Sequence, residues 1–190
     1  YKILYVTVRN RSSGTVVREL LTEDEYKRYL VIFQQKGNRP DIFGDNIYAN
    51  PSEGPKYEIP GEALSDPSFK ALITEAEKYL GWPYVWGGSS PSTSFDCSGF
   101  VCWVYTASGV HNLPRTTATG IYNQCTVISK SEAKPGDLVF FTKTYDCDGP
   151  VSHIGIYVGN GMMIHAGSPI KYASIETSYW QEHFYAFGRL

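Results

Sequence analysis

Hydrophobic and polar residues follow helical spacing in some parts of the chain and strict alternation in others. Alternation with β-branched residues over 1–9 predicts a strand, and apolar residues at helical spacing within 26–33 predict a helix. A second helix is predicted to begin near Ser65 or Asp66 and to run to Leu80. Helices therefore dominate the predictions for the first part of the chain.

The later part of the chain changes from helical spacing to short apolar runs. The apolar residues Val101 and Val104 keep helical spacing with Cys97, which places this cysteine at or near a helix start. Beyond Gly136, short runs are separated by Gly, Asn and Pro and predict an antiparallel sheet; they are Asp137–Thr142, Val151–Val158, Met162–Ala166 and Phe184–Leu190. Helices followed by strands are typical of an α+β fold.

A stretch rich in proline and glycine separates two units. It carries three prolines and two glycines within 49–61, which is typical of a linker. We predict a small α/β accessory segment at 1–48, a linker at 49–63 and the main domain at 64–190. The chain begins at Tyr1 rather than at Met, so we expect a mature or cut form without its targeting signal.

Composition narrows the classes of function. The net charge is −2 and charged residues make up 19% of the chain, which argues against a nucleic-acid-binding protein. No apolar run approaches the ~20 residues of a membrane span. The four cysteines form no CxxC pair, which argues against structural zinc, and we expect neither a metal nor another cofactor. A Cys125–Cys147 disulfide is left open.

Cys97 stands where a reactive thiol would be expected. A helix N-terminus favours the thiolate, because free backbone amides and the helix dipole stabilise negative charge. The following Ser98-Gly99 pair leaves room for a substrate carbonyl. The alternative is a small buried hydrophobic residue, which suits Cys102 better.

Two of the four histidines are candidates for the base that a thiol needs. His153 begins a predicted buried strand and His165 lies in the next strand. A two-residue hairpin loop at Gly159-Asn160 would place His153 opposite Ala166, so a bulge or a longer loop is needed to bring the two rings together. The alternative is a pair of hydrogen-bonded structural histidines.

Six short sequence blocks carry a resemblance to a known family. In chain order they are PYVWGG at 83–88, FDCSGF at 95–100, LPRT at 113–116, KPGDLVFF at 134–141, SHIGIYV at 152–158 and MIHA at 163–166. Together they resemble the NlpC-type peptidoglycan endopeptidases, a family of the papain-like cysteine peptidase clan, over about residues 67–190. The resemblance implies a papain-like fold with helices packed on a central antiparallel sheet.

The resemblance also assigns roles to the blocks. It implies a triad in which Cys97 is the nucleophile, His153 the base and His165 the polar residue that orients the base. Tyr84 would shape the oxyanion region, although a packed aromatic residue is the alternative.

Two further residues match positions that contact the amino end of the substrate in this family. These are Asp96 and Ser98, for which a helix cap is the alternative. No metal is implied.

The function implied by the resemblance is cleavage of bacterial wall peptides through a thioester. The expected bond joins a γ-linked D-glutamate to the following diamino acid, and the expected location is secreted or cell-wall associated. A clan-related amidase or acyltransferase, or an inactive wall-binding module, is the alternative. Segment 1–48 weakly resembles the accessory segment of wall hydrolases from conjugative elements.

Overall fold

The computed structural model describes residues 57–190. Four α-helices are present in this part of the chain: α1 (Pro67–Glu77), α2 (Cys97–Ala107), α3 (Ala118–Tyr122) and α4 (Ser178–His183). The strands are β1 (Ser89–Ser90), β2 (Ser94–Phe95), β3 (Thr126–Ile128), β4 (Leu138–Phe141), β5 (His153–Gly159), β6 (Met162–Ala166), β7 (Ile170–Ser174) and β8 (Phe184–Arg189). Short 3₁₀ turns lie at Ala63–Ser65 and Lys130–Glu132. The strand predicted at 1–9 and the helix predicted within 26–33 lie outside the described residues.

Helix α1 begins where its sequence signals predict. The Asp66 carboxylate accepts hydrogen bonds from the backbone N–H groups of Ser68 (2.8 Å) and Phe69 (3.3 Å), and Pro67 fills the first helical position. The α-helix ends at Glu77, three residues before the predicted end at Leu80, because the chain tightens into turns there. One face of α1 is buried in the core.

The central sheet has six antiparallel strands in the order β3-β8-β4-β5-β6-β7. All four strands predicted beyond Gly136 are present. The two edge strands, β3 and β7, were not predicted, since they are short and mostly half-exposed or exposed. Helices on an antiparallel sheet confirm the α+β prediction.

The β5–β6 hairpin contains the bulge that the two histidines need. Its register shifts between Tyr157 and Gly159, and beyond the shift Ile156 pairs with Ile164. In that register Gly155 lies opposite His165, so that His165 and His153 are diagonal neighbours on one face of the sheet. A tight two-residue loop would instead have placed them on opposite faces.

Part of the predicted linker packs on the domain. The Tyr57 hydroxyl donates to the carbonyl oxygens of Gly159 (3.1 Å) and Val158 (3.4 Å), and Ile59 packs against the core. The division of the chain into units stays a prediction, but residues from 57 onward contact the main domain.

The described residues bear on two features considered in the sequence, a disulfide and a membrane-spanning helix. The four cysteines, all of which lie in the described part of the chain, are free thiols, so Cys125 and Cys147 are not bridged. Among residues 57–190 no helix has both the length and the hydropathy that crossing a bilayer requires.

Candidate active site

Cys97 is the first residue of α2, as its spacing predicted. The preceding Asp96 is the N-cap, and its Oδ1 accepts from the Gly99 N–H (2.6 Å) and the Ser98 hydroxyl (3.1 Å). The Cys97 side chain is only 4% exposed. Its thiol also lies near the Ile154 backbone amide on β5. The helix start therefore meets the strand that begins with His153.

The pKa of the Cys97 thiol is raised, contrary to the expectation from a helix N-terminus. Burial is the main cause, the Asp96 carboxylate adds to it, and together they raise the pKa to about 12. The backbone amides of Ser98 and Ile154 act in the opposite direction but are outweighed. Cys97 is therefore a neutral thiol at pH 7, and it needs a base to become a nucleophile.

The two histidines form a direct pair. His153 Nε2 and His165 Nδ1 are 2.8 Å apart, and the ring centroids are 5.0 Å apart. Burial lowers the pKa of His153 to about 4. Burial, and then the proximity of His153, lower the pKa of His165 well below its usual value. Both rings are therefore neutral at pH 7.

A neutral pair of this kind restricts where protons can reside. A neutral imidazole has one donor and one acceptor nitrogen. When His153 Nε2 donates to His165 Nδ1, the Nδ1 atom of His153 is left as an acceptor for a thiol proton. In that arrangement His165 carries its proton on Nε2, which is buried and has no hydrogen-bond partner among the described residues. The pair is thus chemically suited to general-base catalysis.

Tyr84 is positioned beside Cys97 by a short segment that precedes β1 and pairs with β2. Tyr84 forms an isolated bridge with Phe95, and the Val85 N–H donates to the Phe95 carbonyl at 2.9 Å. The Tyr84 hydroxyl lies near the Cys97 backbone. Burial, and then nearby Cys97 and Asp96, raise the pKa of Tyr84, so the phenol keeps its proton and can donate to a developing oxyanion.

Asp96 and Ser98 are part of a hydrogen-bonded network with Arg115. Arg115 donates to Asp96 Oδ2 at 2.5 Å and to the Ser98 hydroxyl at 2.6 Å, and the Gly87 N–H also donates to Asp96 Oδ2 (3.1 Å). With the two bonds to Oδ1, Asp96 accepts four hydrogen bonds, which fills the capacity of a carboxylate. The helix cap is therefore present, and a role for Asp96 and Ser98 in substrate binding stays a prediction.

Three aromatic residues near this site were not predicted from the sequence. Exposed Trp86 (63%) and Tyr145 (39%) pack edge to face with centroids 5.1 Å apart. Burial, and then nearby Cys97, raise the pKa of Tyr145 to about 12, which places this residue close to the thiol. Trp180 of α4 contacts both histidines. Trp86 lies within a recognised block, whereas no local signal marks Tyr145 or Trp180.

Known proteins are similar to this chain over the region that contains the candidate site. A profile of the NlpC/P60 family matches residues 81–189. A bifunctional muramidase/DL-endopeptidase of Bacillus subtilis is 46% identical over 123 residues, which are 64% of this chain and 36% of that protein. A murein DD-endopeptidase of Escherichia coli is 40% identical over 64% of this chain and 45% of its own length.

A solved structure of the same family resembles this chain in its fold. An NLP/P60 family protein of Staphylococcus aureus is 40% identical, with a TM-score of 0.63, over 73% of this chain and 44% of its own. This likeness confirms the predicted papain-like arrangement of helices on an antiparallel sheet. The chain spans less than half the length of these relatives.

Proposed function

Because the chain belongs to the NlpC/P60 family, we propose that it is a cysteine endopeptidase that hydrolyses the stem peptides of peptidoglycan. The observation that carries this proposal is the meeting of a helix-start cysteine with a hydrogen-bonded histidine pair. Cys97 lies near the Ile154 amide, and the adjacent His153 is bonded to His165 at 2.8 Å.

In the first half of the proposed reaction, Cys97 Sγ attacks the scissile carbonyl while His153 Nδ1 accepts the thiol proton. Concerted transfer suits this site, since both the thiol and the imidazole are neutral at rest. The Tyr84 hydroxyl stabilises the oxyanion. His153 then returns its proton to the departing amine, which leaves an acyl thioester on Cys97.

In the second half, His153 Nδ1 accepts a proton from water as the water oxygen attacks the thioester. Collapse of this intermediate breaks the C–S bond, releases the carboxylate product and returns the proton to Cys97. His165 Nδ1 accepts from His153 Nε2 throughout. His165 therefore fixes the tautomer of the base without exchanging a proton with the substrate.

The proposed bond is the one that joins γ-D-glutamate to the diamino acid. In support, one relative from Bacillus subtilis is named a DL-endopeptidase and another a gamma-DL-glutamyl hydrolase. The latter is 41% identical over 58% of this chain. The Escherichia coli relative is named a DD-endopeptidase, so the scissile bond has to be measured. A secreted or wall-associated location is proposed on the same grounds.

Mass spectrometry of defined substrates tests this proposal. The protein is incubated with L-Ala-γ-D-Glu-diaminopimelate, with the same peptide joined to muramic acid, and with a cross-linked dimer. We expect release of L-Ala-D-Glu from the tripeptide. Cleavage only between muramic acid and alanine would instead identify an amidase, and cleavage only of the cross-link a DD-endopeptidase. No cleavage of any substrate would indicate a binding module.

Asp96 and Ser98 are proposed to lie at the amino end of the bound peptide. The carboxylate of Asp96 is paired with Arg115, so an incoming ammonium has to share that carboxylate or displace a donor. A comparison of kcat/KM for the free and N-acetylated tripeptide, in wild type and Asp96→Asn, tests this role. Equal rates for both peptides in the wild type would leave Asp96 as a helix cap alone.

A further inference from the structure

Trp180 packs directly on both histidines. Its indole is stacked on the His153 ring with centroids 5.3 Å apart and an interplanar angle of 25°. It meets His165 edge to face at 5.3 Å and 87°. Phe141 of β4, which pairs with His153 across the sheet, lies on the indole at 4.4 Å. The Trp180 indole therefore contacts both rings of the hydrogen-bonded His153–His165 pair.

The helix that carries Trp180 is short but is fixed to the sheet at both ends. Thr177 caps its N-terminus, and the Gln181 side-chain amide donates to the Ile175 carbonyl at 2.8 Å. At its C-terminus, His183 Nδ1 donates to the Thr142 carbonyl at 2.9 Å, and the Thr142 N–H donates back to the His183 carbonyl at 2.8 Å. These contacts hold the indole in place.

The stacked position has two physical consequences for His153. Rotation of the imidazole about its Cβ–Cγ bond would sweep the ring through the space that the indole occupies, so Trp180 restricts the ring to the orientation that directs Nε2 at His165. The indole face is also electron-rich, and it attracts a cation placed over it. His153 becomes such a cation each time it takes the thiol proton.

Apart from the indole, the group that compensates for that charge is His165, whose Nδ1 accepts from His153 Nε2. Cys97 approaches from α2, and Lys171 of β7 pairs with His165 and disfavours its protonation. Within residues 57–190, no carboxylate contributes to the pKa of His153, which burial alone lowers. The stacked indole is therefore the nearer of two aromatic rings beside the imidazolium, with the centroid of Phe141 at 6.2 Å.

We propose that Trp180 is a positioning residue for the base. Its stacked indole orients His153 toward His165, excludes water from their hydrogen bond and stabilises the imidazolium that forms during turnover. This inference rests on the proposed cysteine peptidase function for its kinetic consequence, but the effect of Trp180 on the reactivity of Cys97 can be tested without turnover.

The test compares Trp180→Leu, which removes the aromatic face, with Trp180→Phe, which keeps one. Trp103→Leu is the matched control, because Trp103 is a partly buried tryptophan of α2 whose Nε1 donates to the Tyr79 hydroxyl (2.7 Å) and whose aromatic contact is with Phe95 and not with the histidines. Melting temperature, kcat and KM for a stem tripeptide, and the pH dependence of Cys97 alkylation by iodoacetamide are measured for each variant. Peptide mapping assigns the alkylation to Cys97.

We expect Trp180→Leu to lower kcat about tenfold, equivalent to about 1.4 kcal/mol, with little change in KM. It should also slow Cys97 alkylation at neutral pH. Trp180→Phe should recover most of both rates, and Trp103→Leu should lower the melting temperature while changing neither rate more than about twofold.

Two results would overturn the proposal. One is an unchanged kcat and alkylation profile in Trp180→Leu. The other is a loss in Trp180→Leu that Trp103→Leu matches at equal melting temperature, which would indicate a merely structural role. If the wild type cleaves no stem peptide, the proposed function fails, and the alkylation profiles alone then decide the role of Trp180.

Discussion

The cysteine side and the histidine side of the site are built by different kinds of contact. On the cysteine side, Asp96 caps α2 through Gly99, three residues away, so the start of the helix depends on local sequence. On the histidine side, the 2.8 Å bond between His153 and His165 depends on a bulge in a hairpin and on a helix that packs from elsewhere in the chain. Local interactions therefore position the proposed nucleophile, and long-range packing positions the proposed base.

The two sides also differ in the polarity of their surroundings, and yet Cys97 and His153 are both uncharged at pH 7. The nucleophile adjoins a charged network of Asp96 and Arg115, whereas the histidines are surrounded by aromatic rings. Burial raises the pKa of the Cys97 thiol and lowers the pKa of His153, so each is neutral at rest. In the proposed mechanism, reactivity therefore requires both Cys97 and His153, since neither is charged at rest.

The largest expected effect separates two cysteines of the same helix. Cys97 and Cys102 are both 4% exposed, but the Cys97 thiol lies near the Ile154 amide of β5, whereas the Cys102 thiol donates to the Pro114 carbonyl at 3.5 Å. Cys97→Ala should lower kcat for the stem tripeptide by at least about 10³-fold, because the covalent route is lost. Cys102→Ala should retain activity within about threefold and lower the melting temperature through a small cavity. Equal activity in the two variants would remove Cys97 from the mechanism.

The next effect separates the two histidines. His153→Ala should cost about 10²- to 10⁴-fold in kcat, the usual contribution of a general base. His165→Ala should cost less, about tenfold to a hundredfold, and His165→Asn should recover part of it, because the amide oxygen can accept from His153 Nε2. Steady-state kinetics at pH 7 measures this order. Equal losses in His165→Asn and His165→Ala would mean that His165 does more than accept this bond.

The pH dependence of the free energy of unfolding tests whether burial lowers the pKa of His153. His153 has a lower pKa in the folded protein, about 4, than the 6.5 of an unperturbed histidine, so the unfolded chain binds more protons between these pH values. The free energy of unfolding should therefore fall as the pH is lowered from 6.5 to 4, by at most about 3 kcal/mol from this residue. Urea unfolding of wild type and His153→Gln over this range measures it. A wild-type slope no steeper than that of the variant would contradict the burial argument.

The cysteine side of the site could be predicted from the sequence more fully than the histidine side. The start of α2 at Cys97 was predicted, because the cap and the helical spacing are adjacent in sequence. The register that unites the histidines was not fixed, since it depends on left-handed backbone at Asn160 and at the neighbouring glycines. Trp180 was missed because a six-residue helix carries little periodicity and its contacts are all tertiary. The raised pKa of Cys97 was missed because burial outweighs the helix terminus.

The smallest expected effect concerns the segment that precedes α1. Fragment 64–190 should fold and hydrolyse the tripeptide, but it lacks the two hydrogen bonds of Tyr57 and the packing of Ile59. Fragment 57–190 should therefore be more stable by about 2 kcal/mol, with the same kcat. Urea unfolding of the two fragments makes the comparison, with Tyr57→Phe in the longer fragment isolating the hydroxyl. Equal stability would mean that these contacts contribute nothing.

Covalent labelling by a substrate analogue shows whether Cys97 is the residue that reacts with the substrate. A chloromethyl ketone analogue of L-Ala-γ-D-Glu can be incubated with the protein until hydrolysis stops, and the label located by peptide mapping. We expect one label per molecule, on Cys97, in proportion to the activity lost. Loss of activity with the label on Cys102, Cys147 or any other residue, and with Cys97 unmodified, would contradict it.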